Sequence, residues 1–172
     1  MFSDESIFKI VRMTSRLVRR PKGERFNPKF LTPTVKHPLW IMVWGSFSGA
    51  TGRHGIFVLP KDKTMDQHIY RQVLEEKVQP RFQNNPLLDW FLQDGAPCHT
   101  AKSVKNIVDG SGIPLMPWPG NSPDLNPIEN AWNFMKDCLE DFSCSNREEL
   151  IQRVKEIWVQ RMSPEFCLKL AR

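Results

Sequence analysis

Pro117, Pro119, Pro123 and Pro127, with Gly120 among them, fall within eleven residues, and the chain then runs directly into IENAWNFMKDCLEDF. Proline fixes φ and removes a backbone donor, so this stretch can neither pair inside a sheet nor continue a helix. It is a stiff connection, and its effect is to set the angle at which the next element leaves it. That element is a helix: Asn126 suits the N-cap, Pro127 the first helical position, and Glu129 the third, from which a carboxylate reaches back to the cap. At 100° per residue Ile128, Ala131, Trp132, Met135, Cys138, Leu139 and Phe142 share one apolar face, with Glu129 at its margin beside Lys136. A first-turn glutamate there either caps the helix or points into a cleft, and local chemistry leaves both open.

The remaining elements alternate in type. Ile7, Phe8, Ile10, Val11 and Met13 predict a strand over Ser6 to Val18, LWIMVWGSF a buried strand over Leu39 to Phe47, and Ile56 to Leu59 a shorter one after the turn GATGRHG. Thr64 and Gln67 form a capping-box opening to a helix whose apolar side carries Met65, Ile69, Tyr70, Val73, Leu74 and Val78, until Pro80 disturbs it. Leu87 to Gln93 predicts a buried strand, Thr100 to Val108 a helix and Ile113 to Met116 a short strand. Helices near Asn146 to Met162 and from Pro164 come after the one opened by Asn126. Strands first, then helices and strands in alternation, imply an α/β fold: a mixed sheet with helices on both faces. With 172 residues and 40% hydrophobic content the chain suits one domain over 1–172.

The net charge of +5 suits nucleic acid as a partner without requiring it. Much of the excess is local, in Arg12, Arg16, Arg19, Arg20, Lys22 and Arg25, which read equally as phosphate contacts or as a charged hairpin edge. The four cysteines show no C-x-x-C spacing, which points away from a zinc site or disulfide framework and toward a reducing compartment. No apolar run approaches the roughly eighteen residues of a membrane span, so no membrane partner is expected.

Ligands of mixed sheets gather beyond the carboxyl ends of strands. FLQDGAPCHTAK puts Asp94 in such a place, although an Asp before Gly also reads as a turn former. Asp4 in MFSDESIF is a third acidic candidate, otherwise a solvated terminal residue. Three carboxylates from a first strand, a later strand end and a helix start can converge on one sheet edge, and hard oxygen ligands there suit Mg²⁺ or Mn²⁺. His99 serves either to orient DNA or water, or as a helix cap or strand-end partner. Lys102 and Lys105 are phosphate contacts or solvated lysines, and Trp118 packs beneath its loop or stacks on a base.

FSDES, VRRPKGERFNP, MVWGSFS, QDGAPCHTAK and WPGNSPDLNPIENAW, with the intervals between them, resemble the catalytic domain of mariner-superfamily DDE transposases, which have a ribonuclease H-like fold. The resemblance covers almost the whole chain, and the thirty-four residues between Asp94 and Glu129 match the interval this branch uses between its second and third acids. It implies that Asp4, Asp94 and Glu129 are the catalytic, metal-binding triad, with Asp124 a loop residue outside it. It further implies two Mg²⁺ or Mn²⁺ ions, DNA strand cleavage and strand transfer, and work in the nucleus. The implied partners are DNA, as transposon ends and target, and a second copy or a full-length transposase. Arg19, Arg20, Lys22, His99, Lys102, Lys105 and Trp118 are the DNA-contact candidates.

Two departures from the family pattern shape the expectations. The helix-turn-helix modules of the family are expected to be absent, and, with three residues before Asp4 in this sequence, a truncated first strand and doubtful activity are expected. Two other readings stand beside the transposase one: a catalytically silent DNA-binding or scaffold protein, and a ribonuclease H-type enzyme acting on RNA–DNA hybrids.

Overall fold

The computed structural model describes residues 1–10, 21–24, 39–85, 87, 88, 90–119 and 122–172. Its centre is an antiparallel sheet of β1 (Phe2–Lys9), β2 (Trp40–Ser48) and β3 (Gly52–Val58), in that order. β1 and β2 pair without interruption from Phe2 opposite Phe47 to Lys9 opposite Trp40. Beyond β1 the sheet continues through two single parallel bridges, Phe2 to Leu92 and Phe91 to Leu115. The chain directions are therefore mixed, as predicted.

Alternation along the strands sorts the core into two layers. Phe8, Ile41, Val43 and Phe47 face α5 (Pro127–Glu140), α6 (Arg147–Arg161) and α7 (Pro164–Leu170), packing with Trp132, Met135, Val154 and Trp158. Trp44 faces the other way, toward a helix that runs from α1 (Gln67–Val73) through a π-helical turn (Leu74–Val78) into α2 (Gln79–Asn84). Val104 and Val108 of α4 (Lys102–Ser111) complete that layer, behind the single turn α3 (Pro97–Thr100). Among the described residues no helix is long and apolar enough to cross a membrane.

Several boundaries differ from the sequence reading. β1 starts at Phe2 instead of Ser6: its polar run Ser3-Asp4-Glu5-Ser6 conceals a strand that pairs in full, while residues 11–18 lie outside the described set. The glycine-rich turn is confined to the residues before Gly52, which adopts φ +78°, and Arg53, His54 and Gly55 belong to β3. Asp66, not Thr64, caps α1, its Oδ1 accepting from the backbone N–H of His68 at 2.8 Å and Ile69 at 2.9 Å. Pro80 does not end the helix, because the wider π turn just before it accommodates a residue without an N–H. The predicted strands at 87–93 and 113–116 shrink to their bridge positions. The predicted helix at 100–108 is broken at Ala101, whose ψ of 141° separates α3 from α4.

Candidate active site

Because successive strand residues face opposite sides, Asp4 and Glu5 of β1 point into different layers. Asp4 lies opposite Gly45 of β2, and on that face an added Cβ at Gly45 would come within 2.5 Å of Trp132 Cη2. Only a glycine lets the indole of α5 settle onto the sheet beside Asp4. α5 is anchored there by its own cap residue. Asn126, buried, accepts from the Ile128 N–H at 3.4 Å through Oδ1 and donates through Nδ2 to the Ser3 carbonyl at 3.2 Å. One side chain thus starts the helix and binds it to the residue preceding Asp4.

This anchorage sets Glu129 beside Asp4, close enough for a protonated Asp4 to hydrogen-bond it. Burial pushes the Asp4 carboxyl up to about 8; the Glu5 backbone N–H, donating to Asp4 Oδ1 at 2.8 Å, pulls it down, and the Glu5 and Glu129 carboxylates raise it again. Such a pair accumulates negative charge that only a proton or a cation relieves.

On the other face Glu5 enters a separate network. His99, 2% exposed, donates from Nε2 to Glu5 Oε1 at 3.2 Å and from Nδ1 to Asp94 Oδ1 at 2.5 Å. Asp94 Oδ1 also accepts from the Ala96 N–H at 3.0 Å. Burial would lower the His99 pKa, but the Asp94 and Glu5 carboxylates outweigh it and raise it to about 9. The His99 hydrogen bond in turn holds Asp94 below the usual carboxylate range. Tyr70 packs on the imidazole with ring centroids 4.0 Å apart and donates to Gln93 Oε1 at 2.6 Å.

Of the three predicted acids, Asp4 and Glu129 lie near enough for the Glu129 carboxylate to raise the Asp4 pKa. Asp94 joins them indirectly, through His99 to Glu5 and from Glu5 to its neighbour Asp4. Among the described residues no group of three or more His, Cys, Asp or Glu side chains is drawn close enough to hold a metal ion. The donor chemistry still fits a hard divalent cation: carboxylate oxygens throughout, with Asp4 shifted upward by burial and by the neighbouring Glu5 and Glu129 carboxylates. Asp124 is exposed on the turn Pro123–Leu125.

Among the expected DNA contacts, Lys22, Lys102 and Lys105 are exposed, Trp118 is half-buried, and Arg19 and Arg20 lie outside the described residues. His99 is a correction: it is buried and both ring nitrogens are engaged, which leaves it no donor for a phosphate. Sequence reasoning passed over Glu5, Tyr70 and the second bond of Asn126. The adjacency of Asp4 and Glu5 was the available signal, since any strand must send two neighbouring acids to opposite faces.

Residues 1–151 match the family of DDE superfamily endonucleases. The chain is 34% identical over 161 residues to the Tcb2 transposase of Caenorhabditis briggsae and 33% identical over 162 residues to the Tc1 transposase of Caenorhabditis elegans. In both cases 92% of this chain aligns with 58% of the relative, so the chain spans under two thirds of their length. Its fold is similar to that of the Mos1 transposase paired-end complex with left transposon end, with a TM-score of 0.80 at 19% identity, covering 98% of this chain and 50% of that one. The catalytic domain of Mos1 mariner transposase gives 0.64 at 20% identity, covering 77% and 67%. A strand and a capped helix that bring Asp4 and Glu129 near each other on a mixed sheet agree with these matches: the chain belongs to the DDE superfamily endonucleases.

Proposed function

We propose that this domain cleaves DNA strands and joins them to target DNA, using divalent metal held by Asp4, Asp94 and Glu129. The observation that carries the reading is the meeting of Asp4 and Glu129: a strand and a helix far apart in sequence hold two carboxylates together in partial burial, an arrangement that a structural role does not require. The relatives are transposases of transposable elements, and Mos1 catalytic domain structures exist with Mg and with Mn.

Two Mg²⁺ or Mn²⁺ ions bound there would activate water or a DNA 3′-hydroxyl for in-line attack on a phosphodiester and stabilise the leaving oxygen. Three carboxylates carry about −3 against about +4 for two such ions, and a scissile phosphate completes the balance. The chain's own residues do the positioning. Gly45 and Asn126 fix α5 against β1 and so fix Glu129 against Asp4; Ala96 and His99 fix one oxygen of Asp94 and leave Oδ2 free of both. Lys102 and Lys105, exposed on α4 shortly after Asp94, would meet the DNA backbone, with Lys22, Arg19, Arg20 and Trp118 as further contacts. DNA as transposon ends and target, a second copy or a longer transposase as partner, and the nucleus as the place of work complete the reading.

A supercoiled plasmid incubated with the protein and Mn²⁺ or Mg²⁺ tests it. Nicking should require the metal and fall by at least about a hundredfold in Asp94→Asn and in Glu129→Gln, since a lost or displaced group at the reacting centre costs that much. Equal nicking by parent and variants would refute the assignment.

A further inference from the structure

His99 and Glu5 form a nearly enclosed polar pair, yet neither belongs to the three acids proposed to act on DNA. His99 is 2% exposed and Glu5 13%. Burying an imidazole between two carboxylates costs desolvation that apolar packing would avoid, so the arrangement calls for a role beyond cohesion. The geometry supplies one. Asp94 is half exposed at the end of its segment and, unsupported, would sample several rotamers. Instead its Oδ1 is held by two donors at once, the Ala96 N–H and His99 Nδ1. The His99 ring is itself held at three places: Nε2 by Glu5 on β1, one face by Tyr70 of α1, and its backbone by the α3 turn, where its N–H donates to the Ala96 carbonyl at 2.9 Å.

We propose that Glu5 and His99 are positioning residues for Asp94: braced by Glu5, His99 locks Asp94 Oδ1 so that Oδ2 alone is presented to a divalent cation. This rests on the reading of Asp94 as a metal ligand. It has a topological consequence. Through Asp4 and Glu5, adjacent on one strand, β1 reaches the proposed metal site twice, directly from one face and through His99 from the other. Outer-shell partners of this kind fix the orientation of a ligand, and their loss typically weakens metal affinity about 10- to 100-fold.

The test tracks thermal unfolding of the chain without DNA across a Mn²⁺ titration, comparing the parent with His99→Asn, His99→Gln and Asp94→Asn. An asparagine amide occupies roughly the place of Nδ1 and can still donate to Asp94; a glutamine amide occupies that of Nε2 and can reach only Glu5. The half-saturating Mn²⁺ concentration should rise about tenfold or more in His99→Gln and less than about threefold in His99→Asn. A His99→Gln midpoint within about threefold of the parent, tighter binding by it, or equal losses in both variants overturns the proposal, because packing alone does not distinguish the two amides. Asp94→Asn separates the failures: if it responds to Mn²⁺ as the parent does, or if neither responds, the metal reading of Asp94 falls and takes this proposal with it. If Asp94→Asn loses the response while His99→Gln keeps it, only the positioning role is lost.

A measurement on the parent covers the case in which the variants do not fold. The ring N–H signals of His99, observed by NMR of nitrogen-15-labelled histidine, should persist when Mg²⁺ saturates the site. Their loss would show that Asp94 leaves His99 to bind the ion, and would overturn the proposal.

Discussion

Gly45→Ala adds one methyl group at the point where the sheet and α5 come closest. The new Cβ would stand 2.5 Å from Trp132 Cη2 and 3.2 Å from Trp158 Cη2, against an optimum near about 3.5–4.0 Å for carbon pairs. The Trp132 indole must therefore retreat by about 1 Å. It has little room to do so: it is fully buried, lies against Trp158 at a ring separation of 5.6 Å, and meets the Phe8 ring edge-on at 5.9 Å. Overpacking of this kind costs about 1–3 kcal/mol. For a chain of this size that lowers the melting temperature by about 2–4 °C per kcal/mol, or roughly 4–8 °C at the centre of the range. Trp132 is three residues after Glu129 on α5, so a helix that yields also carries Glu129 away from Asp4. Urea unfolding monitored by tryptophan fluorescence should show a lower midpoint with unchanged slope, and metal-dependent plasmid nicking should fall more steeply than stability. A Gly45→Ala protein within about 0.5 kcal/mol of the parent would refute the claim that this glycine sets the distance between sheet and helix.

Asn126 carries two bonds that substitutions separate. Asn126→Ala should cost about 1–2 kcal/mol in urea unfolding, whereas Asn126→Asp keeps the cap acceptor, loses the donor to Ser3, and should impair nicking more than stability. His54, buried in β3 beside Thr51, has its pKa lowered to about 4 by burial and by Arg81. A depressed folded-state value means that its contribution is present above the unfolded value near 6.5 and is lost as pH falls through 4. The parent should therefore lose about 2 kcal/mol more than His54→Gln between about pH 7 and pH 5 in paired urea titrations. Lys102→Ala and Lys105→Ala should each weaken DNA binding independently of sequence and reduce the log–log salt slope by about 1, as measured by fluorescence anisotropy over a salt series. An unchanged slope would remove α4 from the DNA-binding surface.

The two core layers were legible because β2 and α5 keep closely to their periods: Ile41, Val43 and Phe47 alternate with Met42 and Trp44, and the apolar face of α5 recurs every three to four residues. β1 was not legible at its start, because the residues that make the site are polar and interrupt the apolar signal that marks a strand. The same conflict hid the first half of β3, where Arg53 reaches the Met162 carbonyl at 3.2 Å and His54 is buried, both in a stretch whose glycines suggest a turn. Glu129 is recognisable as part of the first turn of a helix, but its nearness to Asp4 depends on the Asn126–Ser3 hydrogen bond across 123 positions, which no local pattern encodes. His99 stayed ambiguous for a related reason: a histidine after a turn suits the surface as well as the interior, and the pairing of Leu92 with β1, which brings it beside Glu5, is not a local pattern.

The adjacency of Asp4 and Glu5 leaves β1 partly degenerate in charge. If the strand slipped by one residue against β2, one acid would still fill an acid's place, Glu5 that of Asp4 or Asp4 that of Glu5, while a serine filled the other, so charge alone would distinguish the shifted pairing only in part. The rings distinguish it. Phe8 would leave its edge-on contact with Trp132 to Ile7 or Lys9, both exposed in the native pairing, and Phe2 its contact with Phe47 at 5.5 Å to Met1 or Ser3. Proofreading of the alignment thus falls largely to two phenylalanines at the ends of the strand, which lightens that task for the two acids between them.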